Sequence, residues 1–387
     1  MPCMHSLATC NTPSALNWPD PPYVSGQDGM SLSRRILYAP ARLLLRRKTL
    51  ATPIPSGSVR RVLLLRYDAI GDMIVTLPMI DVLRAMIPGV EIDIVSSPTN
   101  DPVVASDPRI TRTFIFSRKI SDLWELAKHL RPRSYDVVIG LVMHKTTESG
   151  MVAAAAVGRK GITVSFEHAG RGQVYSTWFN IQAPLERGQY TMAEMQIRLL
   201  NHVFGWTVQA SDYPIRLNLS TEAYRYAHEQ TSWMTGRRIA LNLSAKDDRR
   251  MLSIEKNTDL VNGLLQQIPT STIVIVCAPN RAEMAERLAQ IDPSRIRAAA
   301  ASSTVVGSLA VMQEVDMLVT PDTSIAHGAA GFGTPVVGMY THITDYLQEW
   351  MPFGVDYRAT YTVGKVPIET LNIDDVIRNA VELSAAL

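Results

Sequence analysis

The feature that most constrains this chain is an alternation of short, continuous apolar runs with helical patterns, repeated in two series from residue 61 onward. Such runs, rich in Val, Ile and Leu, are typical of parallel strands covered by helices on both faces. Strands are predicted at 62–66, 90–96, 113–116 and 136–141, and again at 238–243, 272–277, 317–320 and 335–340. The break near 210–235 predicts two doubly wound α/β domains with a cleft between them.

Composition narrows the class of protein. The 387 residues are enough for two domains, and 46% hydrophobic with 19% charged residues is typical of a folded globular chain. A net charge of +2 gives no reason to expect nucleic acid as the main partner. Three cysteines (Cys3, Cys10 and Cys277) form neither a disulfide framework nor a metal pattern. With no apolar run near the roughly 20 residues of a spanning helix and no signal peptide, we expect a cytoplasmic location.

The first 56 residues differ from the rest. Residues 1–30 are rich in Pro, Gly and Asn, so we expect them to be disordered, and Met30 is an alternative start to Met1. Residues 31–50 carry six basic and no acidic residues between apolar positions. This segment is predicted to bind an anionic membrane surface, with a solvated basic tail as the alternative.

The first motif lies where the strand at 62–66 passes through a short loop into a helix, which is predicted over about 72–86. Gly71 forms the turn and Asp72 follows it. In a doubly wound domain this end of the strand faces the ligand crevice, so Asp72 is a candidate functional carboxylate. The alternative is that Asp72 only caps the helix. The loop lacks the G-x-G-x-x-G pattern, so we do not expect it to bind a dinucleotide.

Two further loops indicate an anion site in the second series. Asp322, Thr323 and Ser324 lie between a strand and a helix, where backbone N–H groups attract phosphate, and His327 follows one turn later. The other loop carries Arg249 and Arg250, which suit a diphosphate. The alternatives are an ordinary capped helix with a structural histidine and a solvated charged loop.

In this order and spacing, the motifs resemble glycosyltransferase family 9, the ADP-heptose:lipopolysaccharide heptosyltransferases. The resemblance covers roughly residues 60–350 and rests on four segments: Gly71-Asp72 with Thr76-Leu77-Pro78, 90–95, 135–139, and 322–327 with Gly333-Thr334-Pro335. Three positions depart from the family pattern. Ser324 replaces a frequent glycine, Arg249-Arg250-Met251 replaces Lys-x-Trp-Pro, and Cys277-Ala278-Pro279 replaces glycines.

The resemblance implies a GT-B type α/β fold, in which two Rossmann-like doubly wound domains face a central cleft. The expected parts are a disordered, basic and amphipathic N-terminal extension (1–56), an acceptor-binding domain (57–225) and a nucleotide-sugar-binding domain (226–387). The last helix, near 368–386, is expected to pack across both domains. The implied reaction is an inverting, metal-independent transfer of heptose from ADP-heptose to a lipopolysaccharide-type or other glycan acceptor, with no cofactor. A lipid-linked acceptor implies a peripheral position on the inner face of the cytoplasmic membrane.

The resemblance also implies roles for particular residues. Asp72 matches the family's general base. The donor contacts are expected from four places. These are the phosphate loop (Ser244 and Ala245), the basic loop (Arg249 and Arg250), the start of the late helix (Asp322, Thr323, Ser324 and His327) and one ribose-contacting acid (Glu283). Which of the two arginines replaces the family lysine is left open.

Two other functions remain open at this stage. One is a non-catalytic, membrane-peripheral nucleotide-binding relative, which the loss of Lys-x-Trp-Pro favours and Asp72 opposes. The other is a sugar-nucleotide epimerase of the same fold, which would act on the donor alone. The basic segment at 31–50 favours a lipid-linked acceptor over the epimerase.

Overall fold

The computed structural model describes residues 43–143, 146–167, 177–300, 305–342 and 347–387. These residues form two six-stranded sheets, and every strand pair within them is parallel. The predicted fold class of two doubly wound α/β units is therefore confirmed. Residues 1–30 and the part of the basic segment at 31–42 lie outside the described residues.

The first sheet has the strand order β3-β2-β1-β4-β5-β6. Its strands are β1 (Arg61–Leu65), β2 (Glu91–Ser96), β3 (Arg112–Ile115), β4 (Tyr135–Gly140), β5 (Val157–Phe166) and β6 (Ile181–Ala183). Its helices are α1 (Ile70–Ile74), α2 (Leu77–Met86), α3 (Ile120–Leu130), α4 (Thr146–Ala156) and α5 (Met192–Phe204). The central strand β1 is almost wholly buried, because helices cover both faces.

The second sheet repeats this order as β12-β11-β10-β7-β8-β9. Its strands are β7 (Arg237–Asn242), β8 (Ser271–Val276), β9 (Ile296–Ala298), β10 (Met317–Pro321), β11 (Val336–Tyr340) and β12 (Tyr357–Tyr361). Its helices are α6 (Thr221–Thr231), α7 (Ile254–Gln267), α8 (Ala282–Ala289), α9 (Val305–Val311), α10 (Ser324–Ala330) and α11 (Ile373–Ala386).

The strand order determines where a ligand can bind. In each sheet the order reverses between the first strand and the fourth, which places β1 beside β4 and β7 beside β10. Loops diverge at such a point, and the carboxyl ends of these strands border a crevice. The candidate residues follow β1, β7 and β10, so both halves present them at this kind of edge.

The two halves share buried surface. One continuous apolar cluster includes Leu64 and Ile74 from the first half and Leu318 and Ile325 from the second. A backbone hydrogen bond of 3.2 Å also joins the Leu217 N–H, in the segment before α6, to the Gly331 carbonyl after α10. The crevice loops therefore meet on a packed junction.

Two predicted helices differ from the structure. The helix expected from residue 72 to 86 is two helices, since the chain turns at Thr76, whose hydroxyl donates to the Asp72 carbonyl at 2.8 Å. The last helix, which was expected to start near residue 368, starts at Ile373 and buries one face in the second half. Its buried side chains join the core of the second sheet, where α11 packs on α7, β11 and β12.

The described part of the N-terminal extension also differs from the expectation of disorder. Ile54 is buried, and its N–H donates to the Val203 carbonyl at 2.8 Å. The Leu50 N–H donates to the Asn180 carbonyl at 2.9 Å, and the Asn180 amide donates to the Lys48 carbonyl. Residues 48–54 are therefore part of the first half. Among the described helices, none combines the length and the apolar character needed to cross a bilayer.

Candidate active site

The crevice loops of the two halves meet where α1 contacts α10. A methyl group added at Gly71 would lie 3.1 Å from His327 Cδ2 and 3.7 Å from Ser324 Cα. This close approach leaves little room for a side chain at position 71. The structure thus brings the Gly71-Asp72 motif together with the start of the late helix, although they are some 250 positions apart in sequence.

A buried arginine organises the first-half loop. Arg66, which follows β1, is completely buried. Its Nε donates to Thr76 Oγ1 at 2.9 Å, and its Nη1 donates to the Leu141 carbonyl, after β4, at 2.7 Å. Nη1 also contacts Asp68 Oδ2 at 3.0 Å and Asp72 Oδ1 at 3.3 Å. A buried guanidinium stays charged and needs anionic partners, which these two carboxylates supply.

Sequence reasoning did not identify Arg66 and Asp68 as site residues. The available signal was a basic residue at the end of a strand that is otherwise apolar, followed by two acids within six positions. A charge in such a place has to be paired.

Asp72 is not a helix cap. The N-cap of α1 is Ala69, which makes no side-chain cap, and the Asp72 side chain turns toward Arg66. Burial and the nearby Asp68 raise the pKa of Asp72 to about 7, against the opposing effects of Arg66 and of Lys246 in the loop after β7. A carboxyl group of this kind can accept a proton near neutral pH.

His327 differs from the expectation that it faces a bound anion. Only 4% of it is exposed, its Nδ1 is buried without a hydrogen-bond partner, and its ring packs on Trp350 with centroids 6.2 Å apart. Burial lowers the pKa of His327 to about 4, so the imidazole is neutral at pH 7. The reason is the position of α10, which lies in the junction between the two halves.

A buried asparagine that sequence reasoning missed ties the loops after β7 and β10 together. Asn242 Nδ2 donates to Thr320 Oγ1 at 3.0 Å and to Thr323 Oγ1 at 3.2 Å, and its Oδ1 accepts the Ser244 N–H at 3.1 Å. Thr323 is the N-cap of α10, with its hydroxyl accepting the Ile325 N–H. The Ser244 hydroxyl accepts the Ala278 N–H at 2.7 Å, which adds the loop after β8.

The structure separates the two arginines. Arg250 Nη1 lies 2.8 Å from Asp322 Oδ2, so Arg250 bridges the loops after β7 and β10. Burial raises the pKa of Asp322, while the Arg250 charge opposes that rise. Arg249 is exposed and bonds to Asp247 at 2.9 Å within its own turn.

The remaining candidates lie along the same edge. Ala245 is half-buried in the loop after β7, and Ser324 is half-buried at the first position of α10. Glu283 is exposed in the first turn of α8, after β8. Just before it, Arg281 Nη2 lies 3.8 Å from Asp248 Oδ1 of the β7 loop.

Comparisons with known proteins agree with this architecture. The model of glycosyltransferase family 9 (heptosyltransferase) matches residues 123–361, more than half of the 387 residues. No curated protein matches the chain. A glycosyl transferase family 9 structure from Veillonella parvula is similar at 18% identity and a TM-score of 0.73, covering 87% of this chain and 99% of that one.

Two other solved structures are informative. The E. coli heptosyltransferase WaaC with ADP-2-deoxy-2-fluoro heptose is similar at 18% identity and a TM-score of 0.68, covering 83% of this chain and 99% of that one. A putative UDP-N-acetylglucosamine 2-epimerase from Listeria monocytogenes is similar at 12% identity and a TM-score of 0.51, with coverage of 84% and 88%. At these identities the likeness shows the fold, and the predicted GT-B type is confirmed.

The raised pKa of Asp72 predicts a pH-dependent effect on stability. A carboxyl group whose pKa is higher in the folded than in the unfolded state favours folding at low pH, and this contribution is lost as pH rises toward 7. Replacing Asp72 with Asn should therefore raise the free energy of unfolding at pH 8, by roughly 1–3 kcal/mol. Urea unfolding at pH 5 and pH 8 measures this, and a variant less stable than wild type at pH 8 would contradict it.

Proposed function

This chain belongs to glycosyltransferase family 9 and is a glycosyltransferase, and on that premise we propose that it transfers heptose from ADP-heptose to a lipopolysaccharide-type acceptor with inversion. The transfer is proposed to be metal-independent. The first half (57–225) would bind the acceptor and the second half (226–387) the nucleotide sugar. The donor identity rests on the family and on the relative whose structure holds an ADP-heptose analogue.

The observation that carries the proposal is the position of Asp72, a shielded carboxyl group with a pKa near neutrality at the junction of the two halves. In a single displacement, the acceptor hydroxyl attacks the anomeric carbon while its proton passes to a base. Asp72 is the proposed base. Its Oδ1 faces Arg66, which leaves Oδ2 for the proton.

The departing diphosphate carries negative charge that fixed donors must stabilise. Arg250 is the proposed principal contact, because it lies between the two second-half loops and its Nε is buried without a hydrogen-bond partner. Ser244, Ala245, Thr323 and Ser324 would line the same space. Lys246 is exposed and close enough to Asp72 to affect its pKa, so it is a further candidate cation.

The epimerase alternative is favoured by one specific observation, the fold it shares with this chain. Nucleotide release from a panel of ADP- and UDP-sugars, measured in EDTA with and without a lipid-linked acceptor, distinguishes the two. A transferase releases ADP only when both donor and acceptor are present. Release or isomerisation of a UDP-sugar without any acceptor would favour the epimerase.

Replacing Asp72 with Asn tests the base. The variant keeps the size of the side chain and removes its basicity, so transfer should fall by about 10²–10⁴-fold. Nucleotide affinity, measured by calorimetry, should stay near that of wild type, because Asp72 belongs to the acceptor wall. Transfer at the wild-type rate would show that the base lies elsewhere.

The two neighbouring arginines provide a matched pair for the donor site. Arg250→Ala should weaken ADP binding by about 1–3 kcal/mol, the cost of losing a charged hydrogen bond. Arg249→Ala should change it by less than about 0.5 kcal/mol, because Arg249 is exposed and bonded within its own turn. Equal effects of the two substitutions would contradict the assignment to Arg250.

We also propose peripheral association with anionic membrane, on the strength of the basic segment at 31–50. Within its described part, Leu43 and Leu44 are 77% and 81% exposed, beside the exposed Arg46 and Lys48. A variant lacking residues 1–42 keeps the packed residues 48–54. It should sediment less with anionic vesicles than the full chain, and this difference should shrink at high salt. Equal sedimentation would show that residues 31–42 do not contribute to membrane binding.

A further inference from the structure

The first-half loop contains one more carboxylate than its buried cation can neutralise. Arg66 Nη1 contacts both Asp68 Oδ2, at 3.0 Å, and Asp72 Oδ1, at 3.3 Å. The Arg66 side chain is 0% exposed, and those of Asp68 and Asp72 are 14% and 16% exposed. With both acids ionised, one positive charge faces two negative charges in a place that water screens poorly.

Two further hydrogen bonds hold the Arg66 side chain in place between the two carboxylates. Its Nε is held by Thr76 Oγ1, and its Nη1 by the Leu141 carbonyl. Asp68 Oδ1 is buried without a hydrogen-bond partner, and so is Arg66 Nη2. Hydrogen bonds therefore compensate the charge on Asp68 only in part. Because both carboxylates contact Arg66 Nη1, this charge lies close to Asp72 and disfavours its ionised form.

Groups on the opposite side of the crevice do not remove this excess. Lys246, from the loop after β7, acts on Asp72 in the opposite direction to Asp68, and it is exposed. His327, which packs on Gly71 from α10, is neutral because burial lowers its pKa to about 4. After burial itself, Asp68 is the largest influence that raises the pKa of Asp72.

We propose that Asp68 is a positioning residue which, through the shared Arg66, keeps Asp72 basic enough to take the proton of the acceptor. This inference rests on the proposed function of Asp72. When the acceptor oxygen bonds to the anomeric carbon, the bond from that carbon to the diphosphate oxygen breaks, and its electron pair leaves with the nucleotide. The hydroxyl proton moves to Asp72, and the Arg66–Asp68–Asp72 cluster passes from one excess negative charge to neutrality.

Without Asp68, the cluster would be a one-to-one ion pair between Arg66 and Asp72. Such pairing holds a carboxyl group in its ionised form at lower pH. Asp72 would then be ionised over a wider pH range but would be a weaker base. A purely structural role for Asp68 predicts lower stability with no change in the pH at which the base ionises.

The test is the pH dependence of kcat/KM in the full chain with ADP-heptose and lipid-linked acceptor. In wild type, the acidic limb should lie near pH 7, the pKa of Asp72. In Asp68→Asn the limb should move down by about one pH unit or more, with a plateau about 3–10-fold lower because the base is weaker. Asp68→Ser, which is smaller and also uncharged, should give the same shift. It serves as the second test if the Asn variant folds poorly. Asp68→Glu, which keeps the charge, should retain the wild-type limb.

Asp81→Asn is the matched control. Asp81 is 18% exposed and pairs with Arg109, which, like Arg66, contacts a second carboxylate, Asp107. Its loss should leave the acidic limb unchanged. An unmoved limb in both uncharged Asp68 variants, with Asp72→Asn still inactive, would overturn this inference alone. Full transfer by Asp72→Asn would instead overturn the proposed base and this inference with it.

Discussion

The first half of the crevice depends on the burial of one guanidinium, that of Arg66. Removing such a group from water costs several kcal/mol, which only well-placed partners offset. Those partners come from the loop before α1, from α1, from Thr76 before α2 and from the end of β4. One interaction therefore holds four pieces of chain in place, and it explains why α1 ends early and why Asp72 turns inward.

The second half meets this arrangement through an uncharged contact. His327 can lie against Gly71 because burial keeps its imidazole neutral, so it brings no cation to pair with Asp72. Arg66 is held on its own side, and the opposing cation, Lys246, remains exposed. The charges nearest to Asp72, those of Arg66 and Asp68, therefore come from the first half itself. The contact with His327 across the junction adds no charge to them.

The sequence predicts eight of the twelve described strands, among them the edge strand β3, and misses the four that lack a continuous apolar run. β1 and β10 are buried on both faces and appear as unbroken apolar runs. β5 begins with a polar, glycine-containing stretch, β6 and β9 have only three residues each, and β12 is half-exposed, so none gives such a run. The helix from 72 to 86 was predicted as one because the turn at Thr76 depends on Arg66, a tertiary contact.

The same limit applies to the site. Motif order was enough to choose Asp72, but its raised pKa depends on its burial and on the nearby Asp68, which become visible only in the folded loop between β1 and α1. Arg249 and Arg250 are adjacent in sequence, and the turn at Asp248–Arg250 sends one back to Asp247 and the other across to Asp322. In the proposed reaction, a diphosphate would compete with Asp322 for Arg250. Because burial disfavours the charged form of Asp322 and Arg250 opposes that effect, losing Arg250 to the donor would raise the pKa of this carboxyl group further.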